Sequence, residues 1–237
     1  MRLYDDLASW WHLLSPPANH EWEAVHYAAL LRAHVGEPRT LLDLGAGGGC
    51  VAWHLRHQLA CTLLDRSPAM LAAAAAINAG CEHVVGDLRT ARLDRTFDGV
   101  LLGDAIMTMT READLAAAIA TAFAHTRPGG CALFVPDATR ETFRPGESYG
   151  GSDTADGRRG LRYLLWTRDP DPDDTTITLD WALMLRQGDD IEVVHERHLH
   201  GLFPRATYGR LITEAGFTLI DDPAHAGVLL GLRPSGE

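Results

Sequence analysis

Between residues 40 and 136 the chain alternates short apolar runs with longer stretches of helical spacing. Runs at 40–44, 61–65, 82–86, 97–103 and 131–136 read as strands, and 48–57, 67–77 and 111–125 read as helices. A run without alternation, such as Gly99-Val100-Leu101-Leu102, suits a strand covered on both faces. The rhythm therefore predicts an α/β fold: a Rossmann-like, mostly parallel sheet with helices on both faces. Ser67 as N-cap, with Pro68 at the first helical position, opens the second helix, and Arg127-Pro128-Gly129-Gly130 stops the third. Two helical patterns come first, 3–14 and 21–34, separated by Ser15-Pro16-Pro17. After residue 136 the rhythm breaks. Residues 137–160 are rich in Gly, Asp, Arg and Thr and read as a long loop. Strand-like runs at 161–167, 175–186 and 191–200 have no helices between them, so an antiparallel insert is expected after strand five. A helix at 205–215 and a hairpin of 217–220 with 228–232 close the chain.

With 237 residues, 46% of them hydrophobic, the whole chain, 1–237, is expected to form one domain. Its formal charge of -11 speaks against a nucleic acid or an anionic membrane surface as partner, since both need clustered cations. The acceptor of any chemistry is then expected to be a small molecule. The chain contains no lysine, which removes phosphate-loop kinases, pyridoxal enzymes and Schiff-base catalysis. Cys50, Cys61, Cys81 and Cys131 form no Cys-x-x-Cys pair and suggest neither a zinc knuckle nor a disulfide framework. The start of the chain lacks an apolar signal core and no stretch is long enough to span a bilayer, so a cytoplasmic location is expected.

The candidate chemistry begins at Asp43-Leu44-Gly45-Ala46-Gly47-Gly48-Gly49, directly after the first strand. A strand, a tight glycine turn and a helix start form a dock for nucleotide-like cofactors. Asp43 would repel the pyrophosphate of a dinucleotide and attract a ligand bearing an ammonium and a sulfonium, which is S-adenosylmethionine. Asp65 ends strand two about 20 residues on, where a carboxylate can accept from both ribose hydroxyls. Asp87, in Gly86-Asp87-Leu88 at the end of strand three, could accept from the adenine amine. An NAD-linked oxidoreductase also uses a glycine turn and an acid on strand two. In that alternative Cys50 occupies the third glycine position of the fingerprint.

Together Asp43-x-Gly45-x-Gly47-x-Gly49, Asp65, Gly86-Asp87-Leu88, Phe97-Asp98 and Arg127-Pro128-Gly129-Gly130 resemble the class I S-adenosylmethionine-dependent methyltransferases. Tyr4-Asp5-x-Leu7-Ala8, Trp10-Trp11 and the strand-rich insert are similar to its small-molecule branch, which includes sugar N-methyltransferases and glycine N-methyltransferase. The resemblance implies a seven-stranded sheet whose last strand is antiparallel, with S-adenosyl-L-methionine as cofactor and S-adenosyl-L-homocysteine as product. It further implies that residues 1–35 cover the cofactor and that an inserted lid, 138–203, roofs the acceptor pocket. Trp11 stands where those relatives often carry tyrosine. The cofactor cleft is accordingly assigned to Tyr4, Trp11, Asp43, Gly45, Ala46, Gly47, Gly49, Asp65, Arg66, Met70, Gly86, Asp87, Leu88 and Asp104. Nitrogen is the first expectation for the methyl acceptor, with oxygen and carbon open, and a homodimer is compatible with the branch.

A free amine mainly needs alignment and exclusion of water, whereas oxygen or carbon acceptors need a base. Asp104, just past strand four, could orient or deprotonate an acceptor, or could merely cap a turn. His198 and His200 share one face of a strand and could line the acceptor pocket, while His195 points to the other face, which disfavours a three-ligand metal site. Catalytic candidates are therefore Asp104, His198 and His200, with no metal. Tyr4, Trp10 and Trp11 could seal the cofactor through cation–π contact or simply pack an amphipathic helix. A methyltransferase-like fold retained as a non-catalytic, cofactor-binding regulator is the non-enzymatic alternative.

Overall fold

In a computed structural model of the chain, residues 1–220, 225 and 227–236 are described. The first strand, β1 (Thr40–Leu44), pairs in parallel with β2 (Ala60–Asp65) on one side and β4 (Phe97–Leu102) on the other. With β3 (Glu82–Val85), β5 (Thr126–Phe134), β10 (Thr218–Ile220) and β11 (Leu229–Leu232) they form a seven-stranded sheet, in the order β10-β11-β5-β4-β1-β2-β3. The last strand, β11, runs antiparallel to both β5 and β10 while the other pairs are parallel, as the resemblance implied.

Side-chain alternation along each strand feeds two cores. Leu42, Leu44, Val100 and Leu102 pack with α5 (Glu112–His125) and α6 (Arg205–Glu214). Leu41, Leu63, Leu101 and Leu133 pack with α2 (Glu21–Val35), α3 (Cys50–Leu55) and α4 (Pro68–Ile77). Because β2 and β3 lie on one side of β1 and β4 and β5 on the other, a crevice opens above the carboxyl ends of β1 and β4, where ligands dock in such sheets.

Four differences from the expected elements have physical causes. The helix expected at 3–14 is two 3-10 turns, Arg2–Tyr4 and Ala8–Trp10, followed by α1 (Trp11–Leu14). Its apolar residues Leu3, Leu7 and Trp10 lie against Leu161, Leu183, Leu185 and Val194 of a second sheet, and that packing outweighs the weak helical preference of so short a segment. The helix after the glycine turn starts only at Cys50, because Gly49 is left-handed at φ 71. Arg127-Pro128-Gly129-Gly130 does not separate α5 from its strand but belongs to β5, whose start pairs with the chain end through Gly129 and Arg233. The loop expected at 137–160 contains β6 (Gly146–Gly150), whose glycines and exposed positions give no apolar alternation.

The insert is thus a four-stranded antiparallel sheet, β6-β7-β8-β9, with β7 (Arg159–Arg168), β8 (Thr176–Gln187) and β9 (Asp190–Gly201). Its inner face holds the N-terminal segment, and Ser152 donates to the Leu13 carbonyl at 3.0 Å.

Candidate active site

At the carboxyl end of β1 the glycine turn is pinned from the neighbouring strand. Gly45 and Ala46 donate to the Leu64 carbonyl at 2.8 and 3.0 Å, and Gly47 donates to Asp65 Oδ2 at 2.9 Å. Asp65 Oδ1 accepts from the Ser67 amide at 2.8 Å. Gly45 sits at φ +82, and a Cβ there would meet the Ala105 side chain at 2.4 Å. A Cβ on Gly48 would fall 2.1 Å from Trp11 Cδ1, so the indole of α1 lies directly on the turn. His12 Nε2 also reaches the Gly48 carbonyl at 2.9 Å, which ties α1 to the same loop.

The turn forms one wall of a cavity of about 500 Å³, a size suited to a small-molecule ligand. Its lining is acidic: Glu23, Asp43, Asp65, Asp104 and Asp137 all face it. Burial, reinforced by Asp104 and Asp65, pushes Asp43 up to about 7. Asp104 and Asp137 open onto the cavity but are enclosed by protein. Enclosure and then Glu23 raise Asp104, and enclosure and then Asp104 push Asp137 up to about 7. Asp65 is raised by burial despite its backbone hydrogen bonds. Crowded, desolvated carboxylates of this kind favour a cationic occupant.

Comparison with known proteins then decides the family. Residues 41–130 match the methyltransferase domain family. The chain is 32% identical over 221 residues to the dTDP-3-amino-3,6-dideoxy-alpha-D-glucopyranose N,N-dimethyltransferase of Streptomyces fradiae, covering 89% of this chain and 83% of that protein. The chain belongs to the S-adenosylmethionine-dependent methyltransferases. Its fold is also that of Streptomyces venezuelae DesVI, with TM-score 0.80, 24% identity and coverage of 91% and 92% of the two chains. The sugar N-methyltransferase KedS8 from Streptoalloteichus sp ATCC 53650 superposes with TM-score 0.78 at 22% identity, covering 90% and 87%. This methyltransferase uses S-adenosylmethionine to methylate a small-molecule acceptor.

The methyltransferase's own residues fit that cofactor. Substituted glycines would fill the cradle, the carboxylate that loses solvation at Asp43 would regain a counter-charge from a cationic ligand, and Asp65 has lone pairs left for ribose hydroxyls. Of the residues assigned to the cleft, Tyr4, Trp11, Asp43, Gly45, Ala46, Gly47, Asp65, Arg66, Gly86, Asp87, Leu88 and Asp104 line the cavity. Gly49 and Met70 sit one layer back. Gly49 caps α3, and the Met70 methyl lies 3.4 Å from where a Gly47 Cβ would be. Asp87 is already engaged by Arg89, which donates from Nη2 at 2.6 Å and from its backbone amide at 2.8 Å, and these bonds lower the carboxyl. Tyr4 is fixed by Ser67, whose hydroxyl donates to the Tyr4 carbonyl, and its ring lies 5.6 Å from Trp11.

Among the catalytic candidates, Asp104 and His200 face the cavity. Burial and then His198 push His200 down to about 4, so it meets an acceptor as a neutral ring. His198 stands behind the wall, 5.4 Å from the Tyr4 ring, with Nε2 3.0 Å from Glu196 Oε1. His195 is on the opposite face of β9 with its side chain 67% exposed, and no metal-binding cluster occurs among the described residues. The acid run 169–174 forms the turn between β7 and β8. Four cavity residues had no signature along the chain: Ser15 at the end of α1, His20 and Glu23 at the start of α2, and Asp137 after β5. For His20 and Glu23 the only available signal was their i,i+3 spacing at a helix start.

Proposed function

We propose that this methyltransferase transfers a methyl group to the amino nitrogen of an amino sugar. The observation that supports the reading is the cluster of Glu23, Asp104 and Asp137 on the cavity wall beyond the glycine turn. Carboxylates there would draw in and orient an amine and offer nothing to an anionic acceptor atom. Arg89, the basic side chain nearest in sequence to Asp87, is committed to Asp87 and Asp114. The Streptomyces fradiae relative, whose name places its methyl groups on the 3-amino nitrogen of a nucleotide-linked sugar, points the same way.

In this reading Tyr4, Trp11, Asp43, Asp65, Arg66, Asp87 and the glycine turn hold the cofactor, with Gly49 and Met70 supporting the turn from behind. The bound cofactor supplies an electrophilic methyl group. Asp104 orients the amine lone pair toward that methyl, His200 closes the wall as a neutral partner, and His198 props Tyr4. Residues 1–35 cover the cofactor and the insert 138–203 acts as a lid that keeps out water. Among the described residues no helix is long and apolar enough to cross a membrane. The reading includes a cytoplasmic homodimer joined through the outer face of the second sheet.

Incubation with S-adenosylmethionine and dTDP-3-amino-3,6-dideoxy-alpha-D-glucopyranose, alongside the free amino sugar, tests it. The expected result is a mass gain of one or two methylene units located on nitrogen. Methylation on oxygen or carbon, or no product from any amino sugar, would overturn it.

A further inference from the structure

Ser15, His20 and Glu23 form a hydrogen-bonded chain along the cavity wall. Ser15 Oγ lies 2.7 Å from His20 Nε2, and His20 Nδ1 lies 2.8 Å from Glu23 Oε2. A carboxylate only accepts, so Nδ1 carries the ring proton, and Nε2 of the neutral ring accepts from the Ser15 hydroxyl. The bond to Glu23 is also the main reason the His20 imidazole is raised, with Asp104 adding to it from across the cavity against the opposing effect of burial. The segment is held in place from α3. Cys50 Sγ reaches the Ser15 carbonyl at 3.3 Å and His54 Nε2 the Pro17 carbonyl at 2.8 Å. All three residues line the cavity, with the His20 side chain 23% exposed and Glu23 39%.

We propose that Ser15, His20 and Glu23 relay the proton of the acceptor amine from the cavity to solvent. The proposal rests on nitrogen being the acceptor. The neutral amine forms its bond to the methyl carbon as that carbon's bond to sulfur breaks, with the electron pair staying on sulfur. The resulting ammonium gives its proton to Ser15 Oγ while the Ser15 hydroxyl proton passes to His20 Nε2. A neutral methylated amine and an imidazolium facing Glu23 result, and the imidazolium discharges to water. An amine that is to receive a second methyl needs such a step, because an ammonium has no lone pair.

The test uses the full chain with S-adenosylmethionine and dTDP-3-amino-3,6-dideoxy-alpha-D-glucopyranose. His20→Gln is expected to lower kcat on the order of 10²-fold and to flatten the acidic limb of the kcat–pH profile, leaving the part carried by the cavity carboxylates. Calorimetric affinity for S-adenosylhomocysteine should stay at the wild-type value, which also shows the variant folded. Ser15→Ala should lose rate similarly while the His20 resonance in ¹⁵N-histidine-labelled protein still titrates. Glu23→Gln should move both that titration and the kinetic limb to lower pH. N-methylated product from wild type, combined with an unaltered limb in His20→Gln or a His20 titration indifferent to Glu23→Gln, overturns the relay alone. Wild type that N-methylates no amine overturns the acceptor assignment, and the relay falls with it.

Discussion

The Gly47 amide donates to Asp65 Oδ2 across 2.9 Å, so the acid that ends β2 braces the glycine turn that follows β1. The same carboxylate takes the Ser67 amide on its other oxygen, leaving one further lone pair on each for a ribose hydroxyl. Asp65→Ala removes the brace and the ribose acceptor together. A charge-assisted hydrogen bond contributes about 2 kcal/mol, so the Kd for S-adenosylhomocysteine should rise roughly thirtyfold. Isothermal calorimetry checks this, and an affinity within about twofold of wild type would contradict it.

Asp43 sets a pH dependence of cofactor discrimination. Its carboxyl, pushed up to about 7 by burial and then by Asp104 and Asp65, is protonated below that value and anionic above it. Only the anion attracts a sulfonium, and S-adenosylhomocysteine carries a neutral thioether at the same position. The preference for S-adenosylmethionine over S-adenosylhomocysteine should therefore grow several-fold as pH rises through about 7. Asp43→Asn should flatten most of that slope, with Asp137, also near 7, leaving a remainder. Parallel calorimetric titrations at several pH values would show a constant ratio if Asp43 had no such role.

The parts of this architecture that were legible along the chain are those set by local pattern. Strands buried on both faces leave unbroken apolar runs such as Gly99-Val100-Leu101-Leu102, and a turn that must pass close under Ala105 and Trp11 leaves glycines. What tertiary packing decides was not legible. Leu3, Leu7 and Trp10 have helical spacing but lie across a sheet that begins only at Gly146, so the backbone breaks into turns. Strand β6 exists because β7 offers it an edge, with Tyr149 opposite Leu164, and its own sequence carries no alternation. Ser15, His20, Glu23 and Asp137 come to one wall from separate elements, and no spacing along the chain connects Asp137 to the rest.

Asp98 joins β4 to both neighbours and gives acid sensitivity to the fold. Its oxygens accept from the Arg39 and Thr40 amides at 2.8 and 3.0 Å, and from Arg127 Nε at 2.6 Å. Burial alone would raise this carboxyl, but these bonds win and hold it at about 2. With a folded value below the ordinary one, the contribution to stability is complete above the usual carboxylate range and is lost as pH falls through about 2. Asp98→Asn should cost about 1 to 2 kcal/mol at neutral pH and weaken the loss of stability in acid. Urea denaturation across that range measures both effects, and equal acid sensitivity of the two proteins would contradict the assignment.

The outer face of the second sheet leaves Ile191 at 61% and Val193 at 67% exposure, with Met184 beside Val193 across the β8–β9 ladder at 48%. Alternation along β9 puts Leu199 on the same face, 56% exposed. In the proposed homodimer these positions, with His195 and Arg197 between Val193 and Leu199 on the same face, are buried against a second copy. Val193→Glu should shift the protein from dimer to monomer in sedimentation while leaving affinity for S-adenosylhomocysteine unchanged. A wild-type protein that sediments as a monomer would refute the dimer.

Asp104 offers the sharpest separation of acceptor handling from cofactor binding. It follows β4 in the turn Asp104–Thr108 and opens onto the cavity, where enclosure and the nearby Glu23 raise its carboxyl. An amine hydrogen-bonded to that carboxylate has its lone pair directed by the bond. An amide in the same place presents an N–H that competes for the lone pair. Asp104→Asn preserves shape and removes charge, so affinity for S-adenosylhomocysteine should hold while kcat/KM for the amino sugar falls on the order of 10²-fold. The loss should be shared between KM and kcat, since the carboxylate both attracts the amine and aligns it. Calorimetry and steady-state kinetics on the same preparation separate the possibilities. An unchanged kcat/KM would remove Asp104 from the chemistry, and a parallel loss of S-adenosylhomocysteine binding would place it with the cofactor instead.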